Sequence, residues 1–179
     1  MSDGRRIRYS VAMSLDGFIA DEDGGYAWIT GADGIDFGAW LGKIDTLLMG
    51  RGTYEVANAT AQGRSIFDGM KVFVVSTTLD PEAHPDVTVI ADDVEARVRD
   101  MKREAGRDIW LFGGGVLFRA LLEAGLVDRV ELGVIPVLLG AGIPLLPGVR
   151  EHARLGLHSA ETFPGGALLL KYDVLDATG

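Results

Sequence analysis

The 179 residues carry 47% hydrophobic and 24% charged side chains, the balance of one globular domain and not of a disordered chain. Seventeen Lys and Arg against 26 Asp and Glu give a net charge of −9, a field that repels polyanions and argues against nucleic acid or an anionic membrane as the main partner. The absence of cysteine excludes disulfides and thiolate chemistry, and Met1-Ser2-Asp3-Gly4-Arg5-Arg6 has no apolar run after its basic pair, so a cytoplasmic protein without a signal peptide is expected.

Residues 7–13 form a short apolar run before Asp16-Gly17, the pattern of a core strand entering a turn. Residues 20–34 hold too many Gly and Asp for regular structure and predict a long loop, a length often tied to function, with a short helix following through Phe37, Trp40 and Leu41. Residues 45–49 (DTLLM) predict a buried strand, which Gly50-Arg51-Gly52-Thr53 turns into a helix starting near Tyr54. Residues 71–76 (KVFVVS) and 87–90 read as two further β-branched strands.

Asp92-Asp93-Val94-Glu95 offers a capped helix start, and Val94, Val98, Met101 and Ala105 continue at helical spacing until Gly106. Residues 108–112 (DIWLF) predict a core strand, Gly113-Gly114-Gly115 a break, and residues 116–124 a helix that buries Leu117, Leu121 and Leu122. Strands at 129–135 and 167–172 follow, with 158–163 as partner of the last. The uncharged stretch 133–149 contains Pro136, Pro144 and Pro147 with Gly140 and Gly142, so it predicts a strand and a turn-rich loop, not a membrane helix. Alternating strands and helices with consecutive strands at the end give a single α/β domain built on a mixed sheet.

Three junctions at the carboxyl ends of predicted strands can hold phosphate. Gly113-Gly114-Gly115-Val116 opens a helix whose N–H groups would face a pyrophosphate, although Phe118 stands where a dinucleotide fingerprint needs its third glycine. Gly50-Arg51-Gly52-Thr53 adds a guanidinium and a hydroxyl, and Ser76-Thr77-Thr78 adds hydroxyls that either bind phosphate or cap a turn. Together they outline one long phosphorylated ligand. His84, His152 and His158 are scattered without a metal spacing, and neither a G-x-S-x-G elbow nor a P-loop lysine is present, so no metal is expected and hydride transfer fits the few catalytic groups best.

Four blocks in order resemble the dihydrofolate reductase-like superfamily over nearly the whole chain: residues 12–20 (AMSLDGFIA), 49–55 (MGRGTYE), the hydroxyls at 76–78 and the glycines at 113–115. The resemblance implies a three-layer fold around an eight-stranded, mostly parallel sheet with antiparallel C-terminal strands, and NADPH as cofactor. It would set Ala12 and Ile19 beside the nicotinamide and Arg51 and Thr53, after Gly50, on phosphate. Ser76 and Thr77 would meet the 2′-phosphate, and Gly113, Gly114, Gly115, Val116 and Leu117 would cover the pyrophosphate. Trp28 and Phe37 fall at the spacing of substrate-binding positions, and Asp33 at that of the catalytic acid, with Asp16 and Asp36 behind it.

Met70 replaces the arginine that would grip a folate glutamate, and Gly133 the threonine that would support the pterin acid, which disfavours a true dihydrofolate reductase. Ser14-Leu15-Asp16-Gly17, Trp28-Ile29-Thr30-Gly31 and residues 136–142 instead resemble the riboflavin-biosynthesis reductase (RibD C-terminal) branch, whose strand-one lysine is here Ser10. That branch implies reduction of a ribosylamino-pyrimidine or related small heterocycle. An NADPH-binding regulatory protein without turnover is the alternative, and a homodimer is expected from family habit and the apolar 133–149 segment.

Overall fold

The computed structural model describes residues 4–30, 34, 36–148 and 152–175. Its strands are β1 (Ile7–Ser14), β2 (Phe18–Ala20), β3 (Ile44–Gly50), β4 (Lys71–Val75), β5 (Thr88–Ile90), β6 (Asp108–Leu111), β7 (Arg129–Ile135), β8 (Ile143–Pro144), β9 (Leu155–Thr162) and β10 (Leu168–Val174). Between them lie the helices α1 (Phe37–Leu41), α2 (Arg51–Asn58), α3 (Ala61–Ser65), α4 (Val94–Arg103) and α5 (Gly115–Glu123).

Parallel strands cannot be joined by tight turns, so helices carry the chain back along the sheet. Thus α2 and α3 link β3 to β4, α4 links β5 to β6, and α5 links β6 to β7. The eight-stranded sheet runs β5-β4-β3-β6-β1-β7-β10-β9, parallel from β5 to β7, with β10 antiparallel to both neighbours. This is the mixed sheet with antiparallel C-terminal strands that the sequence predicts.

Side chains alternate across each strand, and both faces are covered. On one face Ile7, Tyr9, Ile109, Leu111, Val130 and Leu132 pack with Val98 and Met101 of α4 and Leu117, Phe118 and Leu121 of α5. On the other, Leu47, Met49, Val72 and Val74 pack with Tyr54 of α2, and Trp110 and Phe112 lie against them. Leu145 and Leu146, in the apolar stretch from which a dimer was expected, pack on the first cluster, whereas Leu138 is 69% exposed.

Two local expectations are corrected. Asp93 does not cap α4 with its side chain: it enters the helix at φ 45°, in the left-handed region, and the helix ends at Arg103, short of Ala105. The last hairpin is also displaced, β9 beginning at Leu155. The chain further forms α3, β2 and β8, none of which the pattern predicts. Gly63 in α3 sits so close to α2 that a Cβ there would meet the Ala57 carbonyl at 2.1 Å, which explains a glycine inside a helix.

Candidate active site

A cavity of about 600 Å³ opens above the C-terminal halves of β1, β6 and β7, between α1 on one side and α2 with α3 on the other. Its floor comes from neighbouring positions on paired strands, since Ser10, Ala12 and Ser14 of β1 stand beside Glu131, Gly133 and Ile135 of β7. Of these, Ser10, Ala12, Glu131, Gly133 and Ile135 line the cavity. Aromatic walls come from Tyr26, Phe37, Trp40, Trp110 and Phe112.

Glu131 is the charged side chain at the centre of this floor, only 2% exposed, and its hydrogen bonds are filled. Arg8 donates to its Oε1 from Nε at 3.0 Å and Nη2 at 2.5 Å, while Ser10 Oγ donates to Oε2 at 2.7 Å and Trp40 Nε1 to the same oxygen at 2.8 Å. Burial pushes the Glu131 carboxyl up, but the hydrogen bonds and the Arg8 charge together hold it below its usual range, so it stays ionised. The same network orders the aromatic wall. Trp110 donates to the Ser10 carbonyl at 2.9 Å and meets Trp40 edge-on with ring centroids 4.6 Å apart, and Arg8 lies over the Trp40 ring.

At the other end the N-termini of α2 and α5 lie side by side. Each starts at a glycine, Gly50 and Gly114, and neither has a side-chain cap, so their first N–H groups have no intrahelical partner. Gly113 and Gly114 take φ of 67° and 85°, and a Cβ on Gly113 would come within 3.2 Å of the Thr53 methyl. Gly115 is equally confined, because a Cβ there would meet Pro147 at 2.8 Å. Two unfilled helix starts and a glycine turn form a cradle with the donors a pyrophosphate requires. A nicotinamide dinucleotide would fit the residues present, with the cradle available to its pyrophosphate and Ala12 and Ile19 in the cavity wall available to its nicotinamide.

The predicted residues separate into groups. Ala12, Ile19, Phe37, Thr53, Gly113 and Gly114 line the cavity together. Val116 is 66% exposed at the start of α5 and Leu117 is buried in the core, and neither lines the cavity. Arg51 lies outside the cavity on the exposed side of α2, where Nη1 donates to Thr78 Oγ1 at 2.6 Å and Nε pairs with Glu55 at 2.8 Å. Ser76 caps a turn, accepting from Thr78 N and Leu79 N. Thr78, and not the exposed Thr77, is thus the hydroxyl in contact with Arg51.

Asp33 lies outside the described residues. Asp16 is exposed and does not line the cavity; Ser14 Oγ donates to it at 2.7 Å, and Leu139 N and Gly140 N donate at 3.1 and 2.7 Å. The Ser14 hydroxyl first, then the Gly140 amide, hold its carboxyl at about 2. Asp36 caps α1 by accepting from Ala39 N. Trp28 turns its Nε1 to the Gly25 carbonyl, and Tyr26 and Ile29 from the same loop reach the cavity instead. Sequence reasoning missed Glu131, Arg8, Trp40 and Trp110. The available signal was a pair of charges, Arg8 and Glu131, inside strands predicted to be buried, where charges occur only when paired.

Among the described residues no helix is long and apolar enough to cross a membrane, and no cluster of His, Asp and Glu could hold a metal. The uncharacterized protein YyaP of Bacillus subtilis is 30% identical over 178 residues, covering 94% of both chains. A Shewanella sp. PV-4 protein assigned to riboflavin biosynthesis superposes with a TM-score of 0.80 at 25% identity, over 96% of this chain and 99% of that one. Dihydrofolate reductase from Enterococcus faecalis, solved with NADP(H), shares the fold with a TM-score of 0.66 at 19% identity, over 96% and 97% of the two chains. The model of the RibD C-terminal domain matches residues 5–169, from the strand that carries Arg8 and Ser10 to the edge of β10, so the whole of the cavity and its cradle lies inside the match. This chain belongs to the RibD C-terminal domain family, on a dihydrofolate reductase-like fold.

Proposed function

We propose that this protein is an NADPH-dependent reductase acting on a small heterocyclic or ribosylamino-pyrimidine-type substrate. The observation that carries the reading is the cradle formed by Gly113, Gly114 and the uncapped starts of α2 and α5, opening into an apolar cavity. When bound, NADPH supplies the hydride. The protein's part is to hold the pyrophosphate on the two helix starts, to grip the 2′-phosphate with Arg51 and Thr78, and to present an aromatic, water-poor wall to the reacting rings.

The test is a titration with NADPH and with NADH, following energy transfer to the reduced nicotinamide from Trp40 and Trp110, which line the cavity. NADPH is expected to bind more tightly, and Arg51→Ala to weaken it about tenfold, the low end of the roughly 1.5–3 kcal/mol typical of a charged hydrogen bond because Arg51 is half exposed. Binding of neither cofactor would sink the reading.

A second reading is a protein that binds NADPH without turnover. Glu131 favours it: among the described residues it is the only carboxyl lining the cavity, and an ionised, fully bonded carboxylate has no proton to give. Steady consumption of NADPH with any small heterocycle would decide for the enzyme.

A further inference from the structure

The substrate end of the cavity has a polarity that bears on what it can hold. Among the described residues that line it, no side chain is cationic, and the lone anion, Glu131, is already neutralised by Arg8 from beneath the floor. A phosphate brought into this space would lose water and gain no counter-charge, a penalty that keeps unpaired ions out of protein interiors.

The hydrogen-bonding direction of the floor is also fixed. Because Glu131 is ionised it can only accept, so the single proton of Ser10 Oγ is committed to Oε2 at 2.7 Å. The Trp40 indole proton goes to the same oxygen. Ser10 therefore offers the cavity lone pairs and no donor. Around it Phe37, Trp40, Trp110 and Phe112 line the cavity, with Trp110 packed edge-on against Trp40 and Phe112, so the wall offers aromatic surface to a ring.

From these observations we infer that the site takes an uncharged, phosphate-free planar heteroaromatic ring that donates a ring N–H to Ser10 Oγ. The inference rests on the reductase reading for the position of the cofactor and deepens it by naming the substrate class. Ser10 is the specificity-determining residue: it reads a donor on the ring, and Glu131 acts through it as a positioning residue.

Calorimetric titration at pH 6.5 tests this with quinazoline-2,4-dione, which carries ring N–H groups, against its 1,3-dimethyl derivative, which has none. The wild-type protein is expected to bind the first at least fivefold more tightly. Ser10→Ala should erase that ratio while leaving the dimethyl compound's affinity unchanged, and Ser10→Thr, which keeps the hydroxyl, should restore it. Uridine 5′-monophosphate should bind no better than uridine. The inference is overturned if the N–H preference survives in Ser10→Ala, if neither quinazoline binds, or if the phosphate raises affinity tenfold. NADPH energy transfer measured on the same preparations separates the two proposals. Cofactor binding without ring binding sinks this inference alone, and ring binding without cofactor binding sinks the reductase reading alone.

Discussion

Glu131 and Tyr9 show what a single position in this sheet can and cannot tolerate. Tyr9 is fully buried and stacked on Phe118 with ring centroids 3.8 Å apart, and its hydroxyl finds no partner among the described residues. Burial without a partner pushes the phenol's pKa up and costs stability. Tyr9→Phe is therefore expected to raise stability by about 1 kcal/mol, the typical scale for an unmet polar group, as measured by urea denaturation. A loss of stability would mean that the hydroxyl is satisfied after all. Glu131 is the opposite case, a buried charge with every acceptor site used. The bonding state of neither was legible from the chain, for the same reason. Sequence periodicity says which strand positions are inward, but whether an inward polar atom is bonded depends on the neighbouring strand, and Ser10 meets Glu131 only through the register of β1 on β7.

At the scale of elements, the loop after β1 is fastened to the segment after β7. Leu15 N donates to the Val137 carbonyl, Leu145 N to the Gly17 carbonyl, Phe18 pairs with Pro144, and Asp16 receives two amides from the same segment. Asp16→Ala should speed hydrogen exchange at the Leu139 and Gly140 amides, readable by NMR, while leaving exchange in β3 unchanged. Unaltered protection at 139 and 140 would show that the carboxylate is dispensable. The major strands and α2, α4 and α5 could be read from the chain because each has a long apolar pattern and a clear break. β2 and β8 could not, being a ladder of two and three residues that includes Pro144, and such pairing leaves no periodicity. α3 was hidden by its polar residues and Gly63, whose necessity lies in the neighbouring helix. The breaks after β3, β4 and β6 were legible as turns, but which hydroxyl meets Arg51 was decided by the turn that Ser76 caps.

For the molecule as a whole, the partly buried Asp45 and the buried Glu131 shape the response to acid. Burial raises Asp45, but the Arg107 amide, the Thr46 hydroxyl and the Arg5 charge outweigh it, and Glu131 is held low in the same manner. A carboxyl depressed in the folded state contributes stability that is complete above its unfolded value, about 4 for Asp and Glu, and is lost as pH falls through the lowered folded value. Urea midpoints should thus be level from pH 7 to about pH 5 and fall below pH 4, and Asp45→Asn should flatten that fall; an unchanged slope would remove Asp45 from the account. The sheet order carries a consequence of a different kind. β1 is an interior strand, held between β6 and β7, with Ile7 opposite Ile109 and Arg8 opposite Arg129. On the ribosome its residues emerge long before either flank has been made, so at roughly 5–20 residues per second they wait for several seconds or more without a pairing partner. Closure of the sheet, and with it the assembly of Arg8, Ser10 and Glu131 into one floor, is a late event in the birth of the chain.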